Sequence, residues 1–236
     1  MDRADAIRLD GVARRFGQRW ALRGVTLRAE AGESLMLLGR NGSGKTTLLR
    51  VLSTALRATR GTGSVFGHDL RATHAIRPLV AYLGHDPGLY ADLTARENLR
   101  FAERMRRPDA AADTREARIA RVLERVDLER HADERTRGFS AGMKRRLALA
   151  RVLLGEPRLL LLDEPYASFD APGIALVNEI VRATGTAGGC VVMATHDPER
   201  SSEVATRSLR VESGRLVEQR FEEGVVAGAR PSEAYA

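Results

Sequence analysis

Two stretches of this 236-residue chain carry residue types that could act on phosphates. The first, Gly39-Arg-Asn-Gly-Ser-Gly-Lys-Thr-Thr47, fits the spacing G-x-x-x-x-G-K-[ST] in full. Its glycines let successive backbone N–H groups converge on phosphate oxygens, and a helix starting there adds its partial positive charge. Gly39, Asn41, Gly42, Ser43, Gly44 and Thr47 are expected to line the phosphates, Lys45 to reach the β- and γ-phosphates, and Thr46 to offer a hydroxyl to Mg²⁺. Lys45 and Lys144 are the only lysines among 38 basic residues, which suits a site that needs a compact ammonium and not a planar fork. The second stretch is Asp163-Glu164, which ends the run Leu159-Leu-Leu-Leu162. Ligands of open α/β sheets gather at strand carboxyl ends, so Asp163 is placed to hold Mg²⁺ through water. Glu164 is placed to polarise a water attacking the γ-phosphate.

The elements that must position these groups follow from apolar patterning. Ala6–Asp10, Gly24–Arg28 and Ser34–Leu38 read as strands, and the last is almost wholly apolar, as in a sheet covered on both faces. A helical pattern, Leu48–Leu52, follows the glycine loop, so the order is strand, loop, helix. From Thr94 to about Leu154 the chain turns helical, with Ile119, Val122, Leu123 and Val126 at helical spacing. An α/β pattern returns with Arg158–Asp163, a helix from Pro172 to Ala183 and a β-branched run from Cys190 to Thr195. One sheet therefore receives strands from both ends of the chain. Residues 207 to 219 read as a hairpin turning at Ser213-Gly214.

Composition narrows the class. Hydrophobic residues at 43% and charged residues at 29% argue against disorder and low complexity. No apolar run approaches the roughly 20 residues needed to cross a bilayer, and the first residues lack the apolar core of a secretion signal. Cys190, the one cysteine, excludes an internal disulfide. The net charge of +7 comes from arginines interleaved with acids, the pattern of solvated faces, so direct nucleic-acid binding is not expected. His68, His74 and His131 lack ligand spacing and read as surface residues. Trp20 is expected to pack near the first strands and Cys190 to pack in a strand; Tyr166 is left open.

Together with the two phosphate motifs, three further words make the chain resemble the ATP-binding-cassette (ABC) ATPases over roughly residues 5 to 220. Phe139-Ser-Ala-Gly-Met-Lys-Arg-Arg146 resembles the family's signature loop, Ala167-Ser-Phe-Asp170 its D-loop, and Thr195-His196-Asp197 its switch histidine. Phe16, 29 residues before Lys45, stands where the family places an aromatic on adenine. The resemblance implies a P-loop α/β core from residues 5–85 and 156–220, with an N-terminal antiparallel β region. It also implies an inserted helical subdomain, 86–155, and a loosely ordered tail, 221–236. The implied enzyme is a head-to-tail dimer enclosing two molecules of ATP with Mg²⁺. Ser140 and Gly142 of one subunit would face the γ-phosphate held by the other. His196 would help orient Glu164 and the water, and Asp170 would couple the two sites.

Three positions depart from the family pattern. Ala141 and Met143 replace the second glycine and the glutamine of the signature, and His85 replaces a glutamine that senses Mg²⁺ and water. An imidazole can accept from water or ligate metal, so His85 stands between a site contact and a loop residue. Leu83-Gly-His-Asp-Pro-Gly-Leu-Tyr90, with Asp92-Leu-Thr94 and Glu97-Asn-Leu99, is similar to the haem-exporter ATPases of cytochrome c maturation (CcmA type). Drug and polysaccharide export ATPases share some of these words. The resemblance thus implies an ATPase peripheral to the cytoplasmic face of a membrane, docked on separately encoded membrane subunits near His85 to Phe101. The rival readings are a soluble iron–sulfur assembly ATPase and a DNA-associated one.

Overall fold

The structure, a computed structural model, describes residues 5–196 and 198–219. Asp197 and the tail 221–236 lie outside the described residues. The chain opens with a long hairpin, β1 (Asp5–Phe16) and β2 (Arg19–Glu30), joined at Gly17-Gln18. Sequence reading expects two short strands here. The observed strands are 12 residues each, because register shifts within the pair carry it past the breaks in apolar alternation. After β3 (Ser34–Leu38) and α1 (Lys45–Leu52), β4 (Arg60–Val65) and β5 (His68–Asp69) complete a four-stranded antiparallel sheet ordered β2-β1-β4-β5.

The short helix α2 (Thr73–Ile76) and β6 (Val80–Leu83) lead into the helices α3 (Ala95–Arg106), α4 (Ala112–Arg125) and α5 (Ala141–Leu153). Then come β7 (Leu159–Asp163), α6 (Ala171–Thr186), β8 (Cys190–Ala194), α7 (Pro198–Ser202), β9 (Arg207–Glu212) and β10 (Arg215–Gln219). The second sheet is ordered β10-β9-β3-β8-β7-β6, parallel except for the β9–β10 hairpin. Ser213 (φ 48°) and Gly214 (φ 81°) form its two-residue turn, where the sequence placed it. The fold is the P-loop α/β class with an antiparallel β region and inserted helices, as expected from sequence.

Burial explains the strand composition. Every residue of β7 and β8 is buried, so neither shows a polar face. Leu159 and Leu161 pack in the core that holds Leu48, Leu49 and Leu52 of α1, while Leu160 and Leu162 pack with Val177, Ile180 and Val181 of α6. Each such leucine contributes on the order of 1.5–3 kcal/mol. A third cluster joins Leu99, Ile119, Leu123, Phe139 and Leu147 of the helical segment. Thr94 caps α3 through a reciprocal pair with Glu97, at 3.1 and 2.8 Å. Buried Asn98 accepts from Tyr90 N–H at 2.8 Å and donates to the carbonyls of Tyr90 and Thr94.

Register aligns the functional ends. Leu37 pairs with Ala194, Asp163 with Ala194, and Leu83 with Leu162, so β3, β6, β7 and β8 finish at one edge of the sheet. Gly39, His85, Glu164 and His196 follow those ends within a few residues.

Candidate active site

The edge opens into a cleft of about 510 Å³ lined by Phe16, Arg19, Ala21, Asn41 to Thr47, His85, Asp163 and Glu164. The loop conformation there needs glycine. Gly39 has φ 151° and Gly44 φ 119°, and a Cβ would stand 2.4 Å from the Val211 carbonyl oxygen at the first and 2.7 Å from that of Ala21 at the second. The β9–β10 turn supports the loop from behind, Gly214 N–H donating to the Ser43 carbonyl at 2.8 Å. Helix α1 begins at Lys45 with no side-chain cap, so its first N–H groups stay available to an anion. Lys45 is buried, and its ammonium donates to the carbonyls of Gly39 at 2.5 Å and Arg40 at 3.4 Å. The Ser43 hydroxyl is buried without a partner, a polar atom facing the inside of the loop.

Asp163 is buried at the end of β7 and accepts a hydrogen bond from the Tyr82 hydroxyl at 3.1 Å. Burial, and then the Asp163 charge, push the Tyr82 phenol above its ordinary value, so it remains a donor. Glu164 turns away from the strand direction of Asp163 by adopting φ 49°, a left-handed conformation costing about 1 kcal/mol for a residue with a Cβ. Its N–H donates to the Ala194 carbonyl at 2.8 Å, and its Oε2 lies 2.8 Å from Nδ1 of His196. The contact ties one ring nitrogen of His196 to the carboxylate, and the rest of the imidazole is exposed. A carboxylate oriented by an imidazole beside a phosphate loop can accept a proton from water.

Of the remaining expected residues, Phe16 lies on the cleft wall and Ser140, Gly142 and Asp170 lie elsewhere. Ser140 caps α5, its Oγ accepting from Met143 N–H at 3.2 Å, and Gly142 lies beside the Ser168 carbonyl. Asp170 caps α6 through Gly173 N–H at 3.0 Å and accepts from Arg146 at 3.2 Å. The Gly173 hydrogen bond, with Arg146 beside it, holds the Asp170 carboxyl below its ordinary value. None of these three lines the cleft of its own chain. Phe16 is 46% exposed on the cleft wall with the Arg14 guanidinium 4.7 Å from its ring, so it is not a core aromatic. Trp20 stands between Arg15 and Arg60, and Tyr166 is buried, donating to Asn178 at 2.7 Å. Cys190 is buried and its thiol is pushed up to about 12, a packing role.

Sequence reading missed Tyr82 and Arg145, and it placed Gly214 in its turn without the support that the turn gives the phosphate loop. Arg145 is buried in α5 and donates to the carbonyls of Gly84, Asp163 and Glu164. Its position inside the signature word was the one available signal.

Thr46 and Asp163 are the protein donors that suit Mg²⁺. Among the described residues no three His, Cys, Asp or Glu side chains gather as an all-protein metal cage. One carboxylate and one hydroxyl suit an ion whose other ligands are phosphate oxygens and water.

A family model described as ABC transporter matches residues 22–167. The chain belongs to the ABC transporter family. As an ABC ATPase domain it binds and hydrolyses ATP, and it serves as the ATPase of a transporter. Daunorubicin resistance ATP-binding protein DrrA3 of Streptomyces coeruleorubidus is 39% identical over 213 residues, covering 90% of this ABC chain and 67% of that protein. Cytochrome c biogenesis ATP-binding export protein CcmA of Xanthomonas campestris pv. campestris is 42% identical over 189 residues, covering 78% of this chain and 83% of that protein. A dimeric, post-hydrolysis ATP-binding cassette bound to ADP and phosphate shares the fold, with a TM-score of 0.83 at 24% identity over 91% of this chain and 98% of that one. No described helix of the ABC chain is long and apolar enough to cross a membrane.

Proposed function

We propose that the chain powers haem export or release for cytochrome c maturation, as a head-to-tail ATPase dimer docked on separately encoded membrane subunits. The observation that carries the catalytic part is the Glu164–His196 pair, 2.8 Å apart at the edge that also holds Lys45. In this reading Glu164 takes the proton of the attacking water, and His196 fixes the carboxylate while its free ring nitrogen faces the γ-phosphate. Lys45, Gly39 and the loop residues Asn41 to Thr47 hold the phosphates, Phe16 stacks on adenine, and His85 contacts the reacting end from the cleft wall. Thr46 and Asp163 would hold Mg²⁺, which neutralises charge on the phosphate oxygens when bound.

Ser140, Gly142 and Asp170 stand away from the cleft, which favours their acting on a partner's nucleotide. A cassette of the same fold was solved as a dimer bound to ADP and phosphate, and the same pairing is proposed here. Residues 86–155 form the unit that meets the membrane subunits. Tyr90, Phe101 and Met105 are 52%, 44% and 72% exposed there, with Tyr90 and Phe101 edge to face at 5.0 Å, which suits an apolar partner helix. In this reading the dimer is a peripheral subunit at the cytoplasmic face of the membrane.

The haem assignment draws on the 42% identity to CcmA and on the Gly84-His85 word. A drug-export reading is favoured by the longer match to DrrA3, over 90% of the chain. Purifying Glu164→Gln with ATP from detergent-solubilised membranes decides between them. Co-purified membrane subunits with haem absorbance support the first reading. A haem-free complex, or a chain that stays out of the membrane fraction, overturns it.

A further inference from the structure

Arg145 is 5% exposed, yet among the described residues it forms no ion pair. Its Nη1 donates to the Gly84 carbonyl at 2.5 Å, and its Nη2 donates to those of Asp163 at 2.9 Å and Glu164 at 2.8 Å. The Nε is buried without a partner. Burial disfavours this cation, which the Asp163 and Glu164 charges offset only in part, and apolar residues of similar volume often replace such a buried charge at no cost in stability. Its neighbours Leu147, Ala148 and Leu149 are buried and apolar, so the position could hold such a residue. What the guanidinium supplies is geometry. Two strand-end carbonyls and the carbonyl preceding His85 converge on one rigid fork.

Those carbonyls flank the strained residue. Glu164 keeps φ 49° because its N–H is held by Ala194 and its carbonyl is held by Arg145 and, at 3.2 Å, by Ala167 N–H. The direction of its side chain toward His196 follows from that backbone. We propose that Arg145 is a positioning residue for hydrolysis, which fixes the Glu164 main chain and the His85 loop relative to each other. This rests on the reading of Glu164 as the base. It also ties the helix capped by Ser140 to the catalytic end of β7 in the same chain.

Arg145→Lys keeps the charge and removes the fork. The purified chain should keep its KM for ATP within about threefold while kcat falls about tenfold or more. The same substitution in a Glu164→Gln background should produce no further fall, because the residual rate no longer depends on where the carboxylate points. A purely structural role would lower both backgrounds by the same factor. Equal factors, or wild-type kcat in Arg145→Lys, overturn the proposal. Wild-type turnover by Glu164→Gln alone would instead overturn the reading beneath it. Should Arg145→Lys fail to fold, Arg145→Gln is measured in the same two backgrounds. If neither folds, Arg145 is a core support and the proposal fails.

Discussion

Lys45 shows how one side chain is held ready for a ligand. Its ammonium is buried and satisfied by two loop carbonyls at the start of α1, so it is held near the loop, and among the described residues it forms no ion pair. Charge-assisted hydrogen bonds contribute roughly 1.5–3 kcal/mol each, so Lys45→Ala should weaken ATP binding by about tenfold to a hundredfold. A titration of the purified variant with ATP measures this, and unchanged affinity would refute the phosphate role. Lys45 was legible from sequence because the motif fixes residue type and spacing within eight positions. The orientation of Glu164 was not, because a left-handed φ leaves no mark on residue type.

At the scale of elements, the phosphate loop works only if α1 begins close against the N-terminal hairpin. Gly44 touches that hairpin, where a Cβ would meet the Ala21 carbonyl at 2.7 Å, whereas at Gly67, also at positive φ, a Cβ would meet nothing within 4 Å. Both Gly67→Ala and Gly44→Ala should therefore lose about 1 kcal/mol of stability from backbone strain, and Gly44→Ala more than that because its Cβ also meets the Ala21 carbonyl. Thermal unfolding measures both losses. ATP affinity should fall in Gly44→Ala alone, and equal affinities would show that the contact with β2 does not set the loop. Strand burial in β3, β7 and β8 was readable from apolar runs. The short strands β4 and β5 were not, because Arg60–Val65 and His68–Asp69 carry no alternating apolar face; β4 is held by pairing to β1, and β5, at the edge, by pairing to β4.

For the whole molecule, the separation of Ser140 and Asp170 from their own cleft makes a testable demand for a second copy. Glu164→Gln mixed with MgATP should move from 25.8 kDa to twice that mass in light scattering, and adding Ser140→Ala should reduce the shift. A mass unchanged by ATP would reject the closed dimer. The sequence alone determined the phosphate loop, the acidic pair, the core strands and the family, since each is written in residue type at short spacing. Tertiary structure alone decided how the ends of β3, β6, β7 and β8 meet, how the Ser213-Gly214 turn supports the loop, and how Tyr82 and Arg145 hold the acidic pair. Those contacts join residues far apart in the chain: Gly214 to Ser43, Tyr82 to Asp163 across 81 positions, and Arg145 to Gly84 across 61. Several of them end on backbone carbonyls, which every residue possesses, so only the folded chain can show which carbonyls a buried guanidinium will find.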